Sequence, residues 1–156
     1  MTGANFLLDA GTPPSGGKIL IDCGMLQREH VCDTANFASF PYNPRTIDAL
    51  IVTHAHADHI GRIPKLVRDG FTGAIHSTAA TKDLAVLMFE DSLVIMQQEV
   101  GRHGCEMLYE KHDADRALAL WQTHAYHESF GIGEITVEFP DAGHVLGSAM
   151  ATFSRN

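Results

Sequence analysis

Six consecutive residues, His54-Ala55-His56-Ala57-Asp58-His59, constrain this chain more than any other stretch. They follow directly on Ile47 to Thr53, in which Leu50-Ile51-Val52 is continuously apolar. Such a run fits a strand covered on both faces, the usual condition of a parallel strand in an α/β sheet. Three imidazoles and a carboxylate therefore stand just past the carboxyl end of a buried strand, where α/β folds commonly place their chemistry. Alternation lets His54 and His56 face one ion, while the turning chain aims Asp58 and His59 at a second position. The small Ala55 and Ala57 permit close approach. A solvated histidine-rich loop is the plainer alternative, but it gives no reason for this density.

Neutral imidazole and carboxylate suit zinc and, with mixed oxygen donors, also manganese or iron. Zinc is the expected metal, with manganese the alternative. Two ions about 3.5–4 Å apart can share a hydroxide and stabilise both oxygens of a displacement, so hydrolysis by metal-activated hydroxide is the natural reaction class.

Around this motif the chain reads as alternating strands and helices. Asn5 to Ala10 and Lys18 to Asp22 form an antiparallel hairpin across the turn-rich Gly11 to Gly17. Gly24 to Pro44 is a long loop with room for a short helix. A short helix containing Pro64 stops at Gly70, and a strand runs from Gly73 to Ser77. Thr78 caps a long helix whose Leu84, Leu87, Met88, Ile95 and Met96 recur near helical spacing and are expected in the core. Asp113 caps another helix running to about Thr123, with Ala117, Leu118 and Trp121 on its buried face. Ile135 to Phe139 is a strand, Asp141-Ala142-Gly143-His144 lies beyond its end, and a further strand covers Ser148 to Phe153.

Composition narrows the class. Nothing suggests disorder, and no apolar stretch approaches the ~20 residues of a membrane span. No secretion signal is recognisable, so a cytoplasmic address and no membrane partner are expected. The cysteines Cys23, Cys32 and Cys105 fit neither a disulfide framework nor a thiolate zinc site and are read as small buried hydrophobes. A net charge of -8 disfavours nonspecific attraction to polyphosphate, so any nucleic-acid binding is locally organised. Of the other histidines, His30, His103, His112, His124 and His127 are expected at the surface, and His76 is structural.

The string Thr53 to His59, followed by Ile60-Gly61-Arg62-Ile63-Pro64, resembles the signature of the metallo-β-lactamase superfamily. Three further blocks, Thr2 to Leu8, Leu20-Ile21-Asp22-Cys23-Gly24-Met25-Leu26-Gln27 and Asp141 to Ala149, resemble its β-CASP branch of RNA-processing nucleases, as does Thr78 to Leu84. The resemblance implies the first half of an αββα sandwich with a mixed sheet. It implies His54, His56 and His144 on one metal, Asp58 and His59 on the other, Asp58 as the catalytic carboxylate and Asp22 orienting ligands from behind. Without the resemblance, Asp22 reads equally well as a turn residue.

The resemblance also implies a ribonuclease using two zinc ions, with single-stranded RNA as partner and self-association left open. Two other readings stand beside it: a glyoxalase- or lactonase-like metallohydrolase, and a metal- or RNA-binding module without catalysis. Arg28 stands where the family has glycine. The family's later Gly-Asp motif, its β-CASP cap and a returning histidine segment have no counterpart here. Residues 1–156 are therefore expected to form part of a metallo-β-lactamase domain, inactive alone.

Overall fold

The structure, a computed structural model, describes residues 3–11, 17–26 and 34–155. The hairpin turn, His30, Cys32 and Arg28 lie outside the described residues. Strands β1 (Phe6–Asp9) and β2 (Lys18–Ile21) pair antiparallel as the sequence predicts. β3 (Ala49–Ile51), β4 (Ala74–Ser77) and β5 (Trp121–Thr123) then add in parallel, giving a mixed five-stranded sheet in the order β1-β2-β3-β4-β5. A second, antiparallel sheet contains β6 (Phe130–Ile132), β7 (Ile135–Glu138) and β8 (Thr152–Arg155).

The period-two alternation of strands decides the layers. Leu20 and Leu50 join the core under the helices, whereas their neighbours Ile19 and Ile51 join a second core with Ile135, Val137 and Phe139. The central strands are thus buried on both faces, helices on one side and the second sheet on the other. Short helices α1 (Thr34–Phe37), α2 (Ala57–Ile60) and α3 (Ile63–Arg68) precede the long α4 (Ala79–His103) and then α5 (Lys111–Ala119). Among the described residues no helix is long and apolar enough to cross a membrane.

Thr78 caps α4 as expected, its hydroxyl accepting from the Thr81 amide, and Gly104 ends the helix in the left-handed region. The expected core stripe is right for Met96, which is buried, and for Leu84 and Met88, which pack partly buried against the core, and needs correction at two positions. Leu87 is 61% exposed and Ile95 41%, while the buried face is Thr81, Ala85, Phe89 and Met96. These recur near helical spacing too, but are the ones that the neighbouring elements cover.

The helix expected to run to Thr123 ends at Ala119. Trp121 instead pairs with Ile75 on the open edge of β4, and its indole N–H donates to Ser77 Oγ at 2.7 Å. Glu110, not Asp113, occupies the cap position of α5; Asp113 closes a capping box three residues on, accepting from the Glu110 amide. The strand expected over Ser148 to Phe153 begins only at Thr152. Cys23 is buried and free, but Cys105 is half-buried and disulfide-bonded, unlike the small buried hydrophobe expected.

Candidate metal centre

Asp22, His54 and His144 belong to three different segments that end at the same rim of the sheets. The first arrives at the end of β2, where Asp22 takes a φ of 59°, an uncommon conformation that Asp tolerates better than most residues. Its amide donates to the Ile51 carbonyl at 2.8 Å, and its carboxylate turns toward the end of β3. Oδ1 accepts from the Thr53 amide and Oδ2 from the Thr53 hydroxyl, both at 2.8 Å. Oδ2 also meets His59 Nδ1 at 2.7 Å. A carboxylate 2% exposed is thereby satisfied entirely by the motif it buttresses.

These bonds assign the ring protons. Thr53 Oγ1 spends its proton on Asp22, so His54 Nδ1, 3.0 Å away, must donate to it. His54 Nε2 then carries a lone pair. By the same logic His59 Nδ1 donates to Asp22, leaving Nε2 available beside Asp58, whose Oδ2 is 3.9 Å away. Fixing one ring nitrogen by an acceptor or hydroxyl frees the other as a ligand atom. Burial, with the nearby His59, lowers the His54 pKa to about 4 and keeps the imidazole neutral. The hydrogen bond that His59 donates to Asp22 raises its own pKa.

His56 stands at the amino end of α2 and makes no side-chain cap, which leaves its ring free to face His54. His54 Nε2 and His56 Nδ1 are 3.2 Å apart. His144 arrives from the second sheet's side, its ring centroid 4.8 Å from His54 and 5.1 Å from His56. One nitrogen from each of the three lies within 4.8 Å of the others. Zinc held tetrahedrally at about 2.0–2.1 Å needs its nitrogens roughly 3.4 Å apart, so small ring rotations suffice and the donor set fits the metal.

The loop carrying His144 is itself built. Ser148 Oγ accepts from the amides of His144 and Val145 at 3.1 Å, and the Ala149 amide donates to the Thr53 carbonyl at 2.8 Å, tying this loop to the motif. Gly147 has a φ of 80° and a Cβ there would lie 2.6 Å from the Thr81 amide nitrogen. Gly24 is tighter still: a Cβ would fall 1.6 Å from the Asp58 carbonyl oxygen. The Asp22-Cys23-Gly24 corner thus requires glycine so that α2 can pack against it.

The structure brings together every sequence-predicted site residue: His54, His56 and His144 in one cluster, with His59, Asp58 and Asp22 adjoining it. Sequence reasoning misses Thr53, whose signal was its place between an apolar strand and the first histidine. His103, His112 and His127 are exposed as expected and His76 is buried. His124, expected at the surface, is half-buried, its ring stacked on Phe130 at 3.6 Å and its Nε2 2.9 Å from His76 Nδ1.

The chain is similar to known proteins in sequence and in structure. In sequence the chain is 37% identical to "Ribonuclease TTHA0252" of Thermus thermophilus over 149 residues, which is 96% of this chain and 31% of that protein. It is 37% identical to "Transcription termination factor FttA" of Methanosarcina mazei over 154 residues, 95% of this chain and 22% of the relative. The chain thus spans a third or less of these relatives' lengths. In structure it resembles the Rm3 metallo-β-lactamase with a TM-score of 0.58 at 15% identity, over all of this chain and 52% of that one, a likeness of fold. Residues 2–145 match the family model described as the metallo-beta-lactamase superfamily. With that match over most of its length, the chain belongs to the metallo-β-lactamase superfamily.

Proposed function

We propose that this chain carries metal-binding machinery of a ribonuclease of the β-CASP type, which hydrolyses phosphodiester bonds of single-stranded RNA. The observation that carries this reading is the convergence of His54, His56 and His144 beside a His59 fixed by Asp22. The sequence relatives favour RNA over other substrates, one being named a ribonuclease and the other a transcription termination factor. Because the chain covers 31% and 22% of those two relatives, the activity is proposed for the whole protein and not for these residues alone.

His54, His56 and His144 would hold one ion, and Asp58 with His59 a second, zinc being the better match to imidazole and manganese the alternative. When bound, such ions supply a Lewis acid for the phosphate oxygens and make water acidic near neutral pH. Asp22 and Thr53 keep the rings of His59 and His54 in the tautomers that face the centre. Asp58, in the first turn of α2, accepts a hydrogen bond from the attacking water and orients it toward phosphorus.

The test uses the full-length protein stripped with chelator and reloaded with zinc. Single-stranded RNA should be cleaved and a simple thioester or lactone left intact, with Asp58→Asn removing most turnover while the protein stays folded. Turnover of the ester with RNA untouched would replace this reading by the glyoxalase-like one. RNA bound by wild type but cleaved neither before nor after reloading would favour a binding module.

A further inference from the structure

His144 belongs to two places: the histidine cluster, and the lining of an open cavity of about 670 Å³. The loop following β5 supplies His124 and Tyr126 to this cavity, Asp141 and Leu146 come from either side of His144, and the start of α4 closes it. Among the described residues no Lys or Arg lines it. A phosphate placed there would lose hydration beside the carboxylate of Asp141 with no cation to offset it. A flat, uncharged group with a polar edge has no such difficulty.

The walls are rings held in place. Tyr126 is 38% exposed, yet its hydroxyl donates to the Ser148 carbonyl at 3.0 Å, which pins the ring to the loop that carries His144. His124 is backed by Phe130 on one side and joined to His76 through its Nε2. Leu146, 73% exposed, gives the rim an apolar side chain with nothing to cover it. Asp141 Oδ1 accepts from the Gly143 amide at 2.8 Å, and its Oδ2 makes no hydrogen bond among the described residues, leaving an acceptor for an N–H edge.

Resting on the ribonuclease reading above, we infer that this cavity takes one unpaired base of the RNA, stacked on Tyr126, next to the phosphate presented at the histidine cluster. Aromatic stacking tolerates any base and needs no positive charge, which suits a chain of net charge -8. Tyr126 is in this account a substrate-contacting residue that sets where along the strand the phosphate falls. His124 is a second wall.

The experiment measures binding to the full-length, zinc-loaded protein in the Asp58→Asn background, where cleavage does not intervene. The probe is a single-stranded RNA oligonucleotide with 2-aminopurine at successive positions around the cleavage site. One position should be strongly quenched on binding. Tyr126→Ala should abolish that quenching and weaken binding about ten-fold, within the range for losing a base stack, while Tyr126→Phe, which keeps the ring, should retain most of both. An abasic residue at the quenched position should weaken binding by the Asp58→Asn protein equally, and should weaken binding by the protein that also carries Tyr126→Ala no further. In the cleaving enzyme Tyr126→Ala should raise KM more than it lowers kcat. RNA binding with no quenched position, or abasic and Tyr126→Ala losses that simply add, would overturn the base site and leave the ribonuclease reading intact. No RNA binding at all would overturn both.

Discussion

Asp22 and His59, separated by 37 positions in sequence, meet through a 2.7 Å contact between a carboxylate oxygen and Nδ1 of the ring. The same oxygen holds the Thr53 hydroxyl, so one buried side chain sets two imidazoles at once. Asp22→Asn keeps the shape and, because Asn tolerates a positive φ, keeps the corner. It replaces one acceptor oxygen by an amide donor and removes the charge. Zinc affinity should fall about 10–100-fold with little loss of melting temperature; calorimetric titration of the chelator-stripped protein reads the first and a thermal scan the second. Unchanged affinity would mean that the carboxylate does not support the ligands.

His144→Ala should cost more zinc affinity than Asp22→Asn, because it deletes a donor atom instead of a support. His112→Ala, on an exposed ring away from the cluster, should leave zinc content unchanged and stability within about 0.5 kcal/mol. Metal analysis of the purified proteins checks both. Equal zinc loss in the two variants would misplace the centre.

Gly24→Ala should destabilise by about 3 kcal/mol, since its Cβ would overlap the Asp58 carbonyl and α2 has to move. Urea unfolding reads this energy. Zinc affinity should fall along with it, because the displaced helix carries Asp58 and His59.

The face of α4 can be checked the same way. Phe89→Ala should cost about 3–5 kcal/mol as a buried ring is lost, and Leu87→Ala within about 0.5 kcal/mol. Similar costs in a urea titration would put Leu87 back in the core, where the sequence spacing suggested it.

Acid should weaken the fold through His76. Its pKa, with an ordinary value of 6.5, is lowered to about 4 by burial and by the facing His124, itself lowered by burial with Glu128 acting the other way. In the unfolded chain the ring takes up its proton near the ordinary value, so between about pH 6.5 and 4 the unfolded state binds more protons and stability falls as pH falls. Above that window the group contributes no pH dependence. The urea midpoint should drop from pH 7 to pH 5, and His76→Leu should make the drop smaller, His54, also lowered to about 4, contributing to what is left.

The histidine motif was legible because its density and the apolar strand before it are local signals. His144 needed the family resemblance, since one histidine after a strand says little by itself. Trp121 was misread because it stands four residues beyond Ala117, a helical interval, and a strand of three residues has no periodicity of its own. Its conformation comes from the open edge of β4. The stack of His76, His124 and Phe130 links the two sheets, His76 and His124 lying 48 residues apart, and had no local trace at all.

The bond from the Ala149 amide to the Thr53 carbonyl has a consequence in time. The segments carrying His54 and His144 come together only when the second sheet has docked on the first, so the three-histidine cluster should be among the last features to form as the chain folds. A contact of such long sequence separation is slow to close, because much chain entropy is lost before it forms. An ion that needs all three rings therefore gains its hold only late in refolding. It should then act by slowing unfolding, as a latch and not as a nucleus.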